Sequence, residues 1–161
     1  PLSDYYGTIV INRGIGDGLK AGQAVLSTEG LLGIITEVNS SDSLVTLLGS
    51  PKFSMPCKIA GKEISGLIHA PLQKEHSGGQ LFFPASELHF DTLSGLRFNT
   101  VELGDLIISS SLGSDDLLAG ITIGNIIEVN TDNAGAYVCK VKPKASLENL
   151  RFVMVAIPAK P

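Results

Sequence analysis

Tryptophan is missing from the 161 residues, aromatic side chains of all kinds amount to 6%, and cysteine occurs only twice. A glycan-binding groove usually presents flat aromatic platforms, so the lack of Trp, with only three Tyr, weighs against that class. Cys57 and Cys139 belong to no Cys-x-x-Cys or Cys/His pattern of the kind that holds zinc. Cys57 alternates with Met55 and Ile59, and Cys139 with Tyr137 and Val141, which reads as two core thiols rather than a disulfide joining the halves of the chain. Charge is scarce too, at 17% of residues, with 12 Lys+Arg scattered among 16 Asp+Glu for a net of -4. No massed basic face results, so no nucleic-acid partner is expected. Nothing approaches the run of about eighteen apolar residues that a membrane helix needs, and the start shows no signal-peptide pattern. The stretch is therefore expected to be soluble. Pro1 in place of an initiator methionine suggests a piece of a longer protein, in which any anchor lies elsewhere.

What the chain does have is valine, isoleucine and leucine in short runs broken by 18 glycines and 8 prolines, the pace of an all-β barrel or sandwich. Two stretches repeat one device. Gly22-Gln-Ala-Val25-Leu26-Ser27 leads to Gly33-Ile-Ile35-Thr-Glu37-Val38, and Gly104-Asp-Leu-Ile107-Ile108-Ser109 leads to Gly124-Asn-Ile126-Ile-Glu128-Val129. Strand parity places Leu32, Ile34, Thr36 and Val38 on one face, as it does Ile123, Asn125, Ile127 and Val129. Gly22, Gly33, Gly104 and Gly124 are read as structural glycines. Those inside strands, Gly33 and Gly124, mark a bend or close approach, with a ligand pressed against them as the sharper alternative.

Strands are predicted over 7–12, 24–28, 31–38, 44–48, 54–60 and 66–70 in the first half. The second half offers 80–83, 105–109, 120–130, 136–142 and 152–157, with one helical turn at Ser146–Leu150. The polar segment 73–79, ending in Gly78-Gly79, separates the halves. The expected fold is all-β with almost no helix: two small tandem barrels of about five or six strands each, since closing a sheet removes its edges. Their bounds are 1–72 and 80–161, and the C-terminal strand is free to return to the first barrel.

The order Asp4-Tyr5-Tyr6-Gly7-Thr8-Ile9-Val10-Ile11-Asn12-Arg13-Gly14, Asp17-Gly18-Leu19-Lys20-Ala21-Gly22 and Gly30-Leu31-Leu32-Gly33-Ile34-Ile35 resembles the extracytoplasmic domain of the MreC family of rod-shape-determining proteins. The likeness continues through Ser43–Leu48, Leu103–Ser110, Gly120–Gly124 and Val153-Met154-Val155. Two departures from the family pattern are the segment Ser110–Ala119, longer and without the family's Phe-Pro, and Gly49-Ser50 where an aspartate is usual. The resemblance implies a membrane-spanning helix and a coiled coil before residue 1. It also implies a place on the periplasmic face of the inner membrane and self-association through the coiled coil. The implied partners are penicillin-binding protein 2, MreD, MreB and RodZ, and the role is a scaffold for peptidoglycan synthesis that sets cell shape.

Chemistry-bearing residues allow one rival enzyme class, a two-barrel serine hydrolase. His69, His76 and His89 are candidate bases, Asp91 and Asp105 candidate orienters, and Ser109, Ser110 and Ser111 candidate nucleophiles. Gly104-Asp105 runs into Leu106-Ile107-Ile108, however, a strand pattern rather than the turn that builds an oxyanion hole. Gly14-Ile-Gly16-Asp-Gly18 has no helix pattern after it to aim amides at a phosphate, so it reads as a turn. The histidines lack partners at metal-ligand spacing, and no cofactor is expected. Leu117 and Leu118 are either packed onto the second barrel or exposed as a partner anchor, and Tyr5 and Tyr6 either guide the chain from a coiled coil into the barrel or contact a neighbouring protomer. The function read from all this is a non-enzymatic extracytoplasmic scaffold; the alternatives are the serine hydrolase and a peptidoglycan glycan-binding module.

Overall fold

Alternation decides the strands. In Ser54-Met-Pro-Cys-Lys-Ile59 the residues Met55, Cys57 and Ile59 are buried while Ser54 and Lys58 face water, the two-residue period of a pleated strand. The computed structural model describes residues 7–71, 87–94, 99–111, 116–147 and 150–159. Among them are β1 (Thr8–Ile11), β2 (Ala24–Leu26), β3 (Leu31–Val38), β4 (Ser43–Leu47), β5 (Ser54–Ile59) and β6 (Ser65–His69). The remaining strands are β7 (Leu88–Ser94), β8 (Leu106–Ser109), β9 (Thr122–Thr131), β10 (Tyr137–Pro143) and β11 (Met154–Ala156). The only helical element among the described residues is a 3-10 turn, Ile15–Asp17.

The strands form two antiparallel units. One is a closed barrel in the order β10-β7-β6-β5-β8-β9, and the other a five-stranded sheet in the order β1-β4-β3-β2-β11. Two closed barrels were expected; the described residues close one. The expected boundary at residue 72 is also corrected, because β5 and β6 pair with β8 and β7 in the barrel rather than with β1 to β4. The physical reason is strand number: β7 to β10 alone are too few to curl shut around a core. Segment 73–79 lies outside the described residues, but it falls between β6 and β7, which are paired neighbours in one barrel, and so does not join two domains. β11 pairs with β2, from Met154 opposite Leu26 to Ala156 opposite Ala24. The expected strand 80–83 lies outside the described residues. So do residues 148 and 149 of the expected helical turn, while Ser146, Leu147 and Leu150 carry no regular structure.

The repeat seen in the sequence extends to hydrogen-bond register. Gly22 N–H donates to Ile35 O at 2.8 Å, and Gly104 N–H to Ile126 O at 2.8 Å. Ile35 N–H in turn donates to Gln23 O, and Ile126 N–H to Asp105 O, both at 2.9 Å. Side chains close the two turns alike: Gln23 Oε1 accepts from Lys20 N at 3.0 Å, and Asp105 Oδ2 accepts from Glu102 N at 2.9 Å. Gly22 and Gly104 have φ of 95° and 86°, which a side chain would strain. Gly33 and Gly124 answer a different need, since a Cβ on either would collide with a carbonyl oxygen of the neighbouring strand, Thr46 or Lys142. The close approach is backbone, not ligand.

A bulge falls at the same place in each copy, leaving Thr36 and Ile127 as the extra residues. It reverses the alternation, so Val38 joins the face of Ile35 and the expected shared face of Leu32, Ile34, Thr36 and Val38 does not hold. Val45 pairs with Ile9 and Ile35 as Val141 pairs with Leu88 and Ile126. Val25 pairs with Val155 and Gly33 as Ile107 pairs with Ile59 and Gly124. Strands β1, β4, β3, β2 and β11 therefore correspond one for one to β7, β10, β9, β8 and β5. β6, which bridges β5 and β7, has no counterpart among the described residues of the sheet.

The barrel interior holds Met55, Cys57, Ile59, Ile68, Phe90, Ile107 and Ile123, and it extends to Ala24 and Leu31 of the sheet. A smaller core of Ile11, Leu19, Val25, Ile35, Val45 and Leu47 lies on the other side of the sheet.

Candidate partner-binding surface

The two edges of the sheet carry strongly exposed apolar side chains. In β1, Ile9 and Ile11 turn towards Val45 and Val25, which forces Val10 outward at 68% exposure. Before and within β11, Val153 and Val155 pack on the same core while Phe152, Met154 and Ile157 face out, Phe152 at 88%. Between these edges runs a groove of about 690 Å³, lined by 9–13, Leu147, 150–153 and Val155. Its charged lining is Arg13 and Arg151, and no carboxylate lines it among the described residues. Arg13 Nη1 donates to Asn12 O at 2.9 Å, and its Nε stands 3.8 Å from Asp17 Oδ1. Apolar surface with a positive border and two strand edges suits noncovalent docking of another chain. Sequence reasoning missed this place, having read 152–157 simply as a strand; the available signal was Phe152 and Met154 alternating with Val153 and Val155.

The residues singled out in advance are distributed differently. Tyr5 and Tyr6 lie outside the described residues. Leu117 is 5% exposed and belongs to the barrel core, so it does not present its side chain to a partner, whereas Leu118 is 43% exposed. The difference follows from Ser109, whose buried hydroxyl donates to Leu118 O at 2.7 Å and accepts from Ile121 N at 2.9 Å. That clamp turns Leu117 inward.

Among the described residues the hydrolase constellation is not assembled. His69 and His89 face each other across β6 and β7, ring centroids 5.7 Å apart, and His69 Nε2 meets Asp91 Oδ2 at 2.8 Å. The other nitrogen of His69 meets Ala70 O at 3.0 Å, leaving neither for a serine hydroxyl. Ser109 is occupied as a clamp, and Asp105 binds Glu102 N and, at 2.9 Å, Lys62 Nζ. The hydrogen bond from Lys62 to the Asp105 carboxylate raises the lysine's pKa. His76 lies outside the described residues, Ser110 is buried just after β8, and Ser111 is exposed. Gly14 N–H donates to Asp17 Oδ2 at 3.1 Å and Ile15 N–H to Asn39 O at 2.9 Å, so the glycine turn spends its amides internally. Burial raises the thiol pKa of Cys57, and that of Cys139 to about 11, making both poor nucleophiles. Among the described residues no group of three or more His, Cys, Asp or Glu is placed to hold a metal ion.

Comparison with known proteins gives one family. The family model "Rod shape-determining protein MreC, barrel core" matches residues 1–157. The cell shape-determining protein MreC of Haemophilus influenzae is 31% identical over 160 residues, which cover 96% of this chain and 40% of that protein. The chain spans less than half the length of the curated relatives it matches. A structure of MreC from Listeria monocytogenes superposes with a TM-score of 0.75 at 26% identity, covering 99% of this chain and 74% of that one. MreC in a complex with penicillin-binding protein 2 from Helicobacter pylori shares the fold, with a TM-score of 0.67 at 16% identity over 92% of this chain and 85% of that one. A match along almost the whole chain, with the duplicated strand units in their places, means that this chain belongs to the MreC family of rod shape-determining proteins.

Proposed function

We propose that this chain is the extracytoplasmic, non-enzymatic scaffold domain of a cell-wall elongation machinery, and that it binds the elongation transpeptidase, penicillin-binding protein 2. The observation that carries the reading is the apolar border of the sheet, where Val10, Phe152 and Met154 stand exposed beside a groove, in a family one of whose members is known in complex with that transpeptidase. Self-association through an upstream coiled coil and links to MreD, MreB and RodZ belong to the same reading, by family resemblance. Leu118, Tyr5 and Tyr6 remain proposed contact residues in addition to those of the groove. A scaffold of this kind biases the transpeptidase only as far as it binds one conformation more tightly than another.

The test is calorimetric titration of the folded parent ectodomain, coiled coil included, with the cognate transpeptidase ectodomain. Saturable one-to-one heat is expected. Absence of binding at the highest soluble concentrations overturns the partner assignment. Rapid labelling by a serine-directed fluorophosphonate, abolished by Ser109→Ala, Ser110→Ala or Ser111→Ala, overturns the non-enzymatic part.

A further inference from the structure

The groove between β1 and β11 has an internal template. In the barrel, the strands that correspond to β1 and β11 are β7 and β5, and the space between them is filled by β6. β6 runs antiparallel to both, with Ile68 opposite Phe90 and Met55, Leu67 opposite Asp91 and Pro56, and His69 opposite His89 and Ser54. Carried over by register, Val10, Ile11 and Asn12 stand where His89, Phe90 and Asp91 stand. Arg151, Phe152 and Val153 likewise stand where Met55, Pro56 and Cys57 stand. These six are all groove-lining residues. β1 and β11 run in the same direction, as β7 and β5 do, so one strand can be antiparallel to both.

We propose that this groove is a strand-addition site: it takes one extended segment of a partner protein, apolar at alternate residues and carboxylate-bearing at its ends, as a sixth strand between β1 and β11. Backbone groups along the two edges supply the affinity, and an alternate side chain enters between Ile11 and Arg151 as Ile68 enters between Phe90 and Met55. The charge requirement comes from Arg13 and Arg151, one towards each end of the position, with no lining carboxylate among the described residues. The same arginines argue against a second copy of this chain: pairing β1 with its own symmetry mate would bring like charges together across the new ladder. The inference rests on the reading of the chain as a binding domain, and it specifies what that site recognises.

The test uses the 161-residue chain and a fluorescein-labelled peptide of residues 63–70, the barrel's own sixth strand with Glu63 at one end and a free carboxylate at the other. Expected are saturable anisotropy and slowed deuterium exchange at the amides of 9–12 and 151–155. Loss of binding is expected when alternate peptide amides are N-methylated. At low salt the peptide should bind at least tenfold more tightly than a version with Glu63→Lys and an amidated end, and the double variant Arg13→Glu, Arg151→Glu should reverse that preference. Both arginines are surface residues, so folding is kept, and far-ultraviolet circular dichroism checks it. No saturable binding, protection elsewhere, or indifference to the charge swap overturns the proposal. Slow exchange of those amides in the isolated chain, meaning that the chain covers its own edges, also overturns it. So does a concentration-dependent dimer that competes with the peptide. Peptide binding at the groove by a chain that fails to bind the transpeptidase leaves this proposal standing and removes only the partner assignment above.

Discussion

Single residues separate two uses of glycine that look alike in the sequence. Gly104 has open space where a Cβ would stand, and only its φ of 86° resists substitution, so Gly104→Ala should cost about 1–2 kcal/mol of strain. Gly124 and Gly33 have ordinary φ but no room against the neighbouring backbone. An alanine there must push strands apart, and Gly124→Ala should lose about 3 kcal/mol, the upper range for overpacking. Urea unfolding at constant slope measures both. If Gly104→Ala proves the costlier, the close approach in β9 is not the reason for its glycine. A charged pair gives a pH test. Asp105 raises the Lys62 pKa above its usual 10.5, so the stabilisation is full below that value and disappears as pH climbs through the folded-state pKa. The stability gap between the parent and Lys62→Met should therefore be constant from neutral pH to about 10 and narrow beyond it. A gap that widens at alkaline pH would refute the assignment.

At the scale of elements, the turn from β8 to β9 depends on one buried hydroxyl. Ser109 Oγ joins Leu118 O to Ile121 N, and Ser109→Ala strands both backbone groups, for an expected loss of about 1–3 kcal/mol. Deuterium exchange should show the faster amides confined to 116–121 and adjoining β8; uniform loss of protection would mean that the clamp is incidental. Most strands were legible because Val, Ile and Leu alternate in them. β7 was not, although Leu88, Phe90 and Thr92 are all buried on one face, because the polar residues His89, Asp91 and Thr92 leave too few Val, Ile and Leu for the pattern to stand out. The bulges at Thr36 and Ile127 were not legible either. A bulge is set by the partner strand's register, and a period read along one strand carries no trace of it.

Across the whole molecule, the sequence repeat identified equivalent strands, but the polar segment 73–79 misplaced the boundary, since local patterns do not say which distant strand completes a sheet. β5 and β6 leave the first half to close the barrel, and β11 leaves the second half to edge the sheet. The barrel core moreover includes Ala24 and Leu31 of the sheet. A chain wired this way has no cut point at residue 72. Fragment 1–72 would retain β1 to β4 but lose β11 at one edge, and it would leave β5 and β6 as an isolated hairpin with Met55, Cys57, Ile59 and Ile68 in water. Two strands of that kind are not independently stable, and each large apolar side chain exposed forfeits about 1.5–3 kcal/mol. Fragment 1–72 should therefore show no cooperative thermal transition and should aggregate. The intact chain should unfold in one step, with circular dichroism and tyrosine fluorescence changing together. Co-expression with fragment 73–161 should restore a soluble complex, because the missing neighbours of β2, β5 and β6 are all in the second piece. Cooperative melting of 1–72 alone, with native-like β signal, would show instead that the first half is a self-sufficient unit and that β5 and β6 pair differently in it.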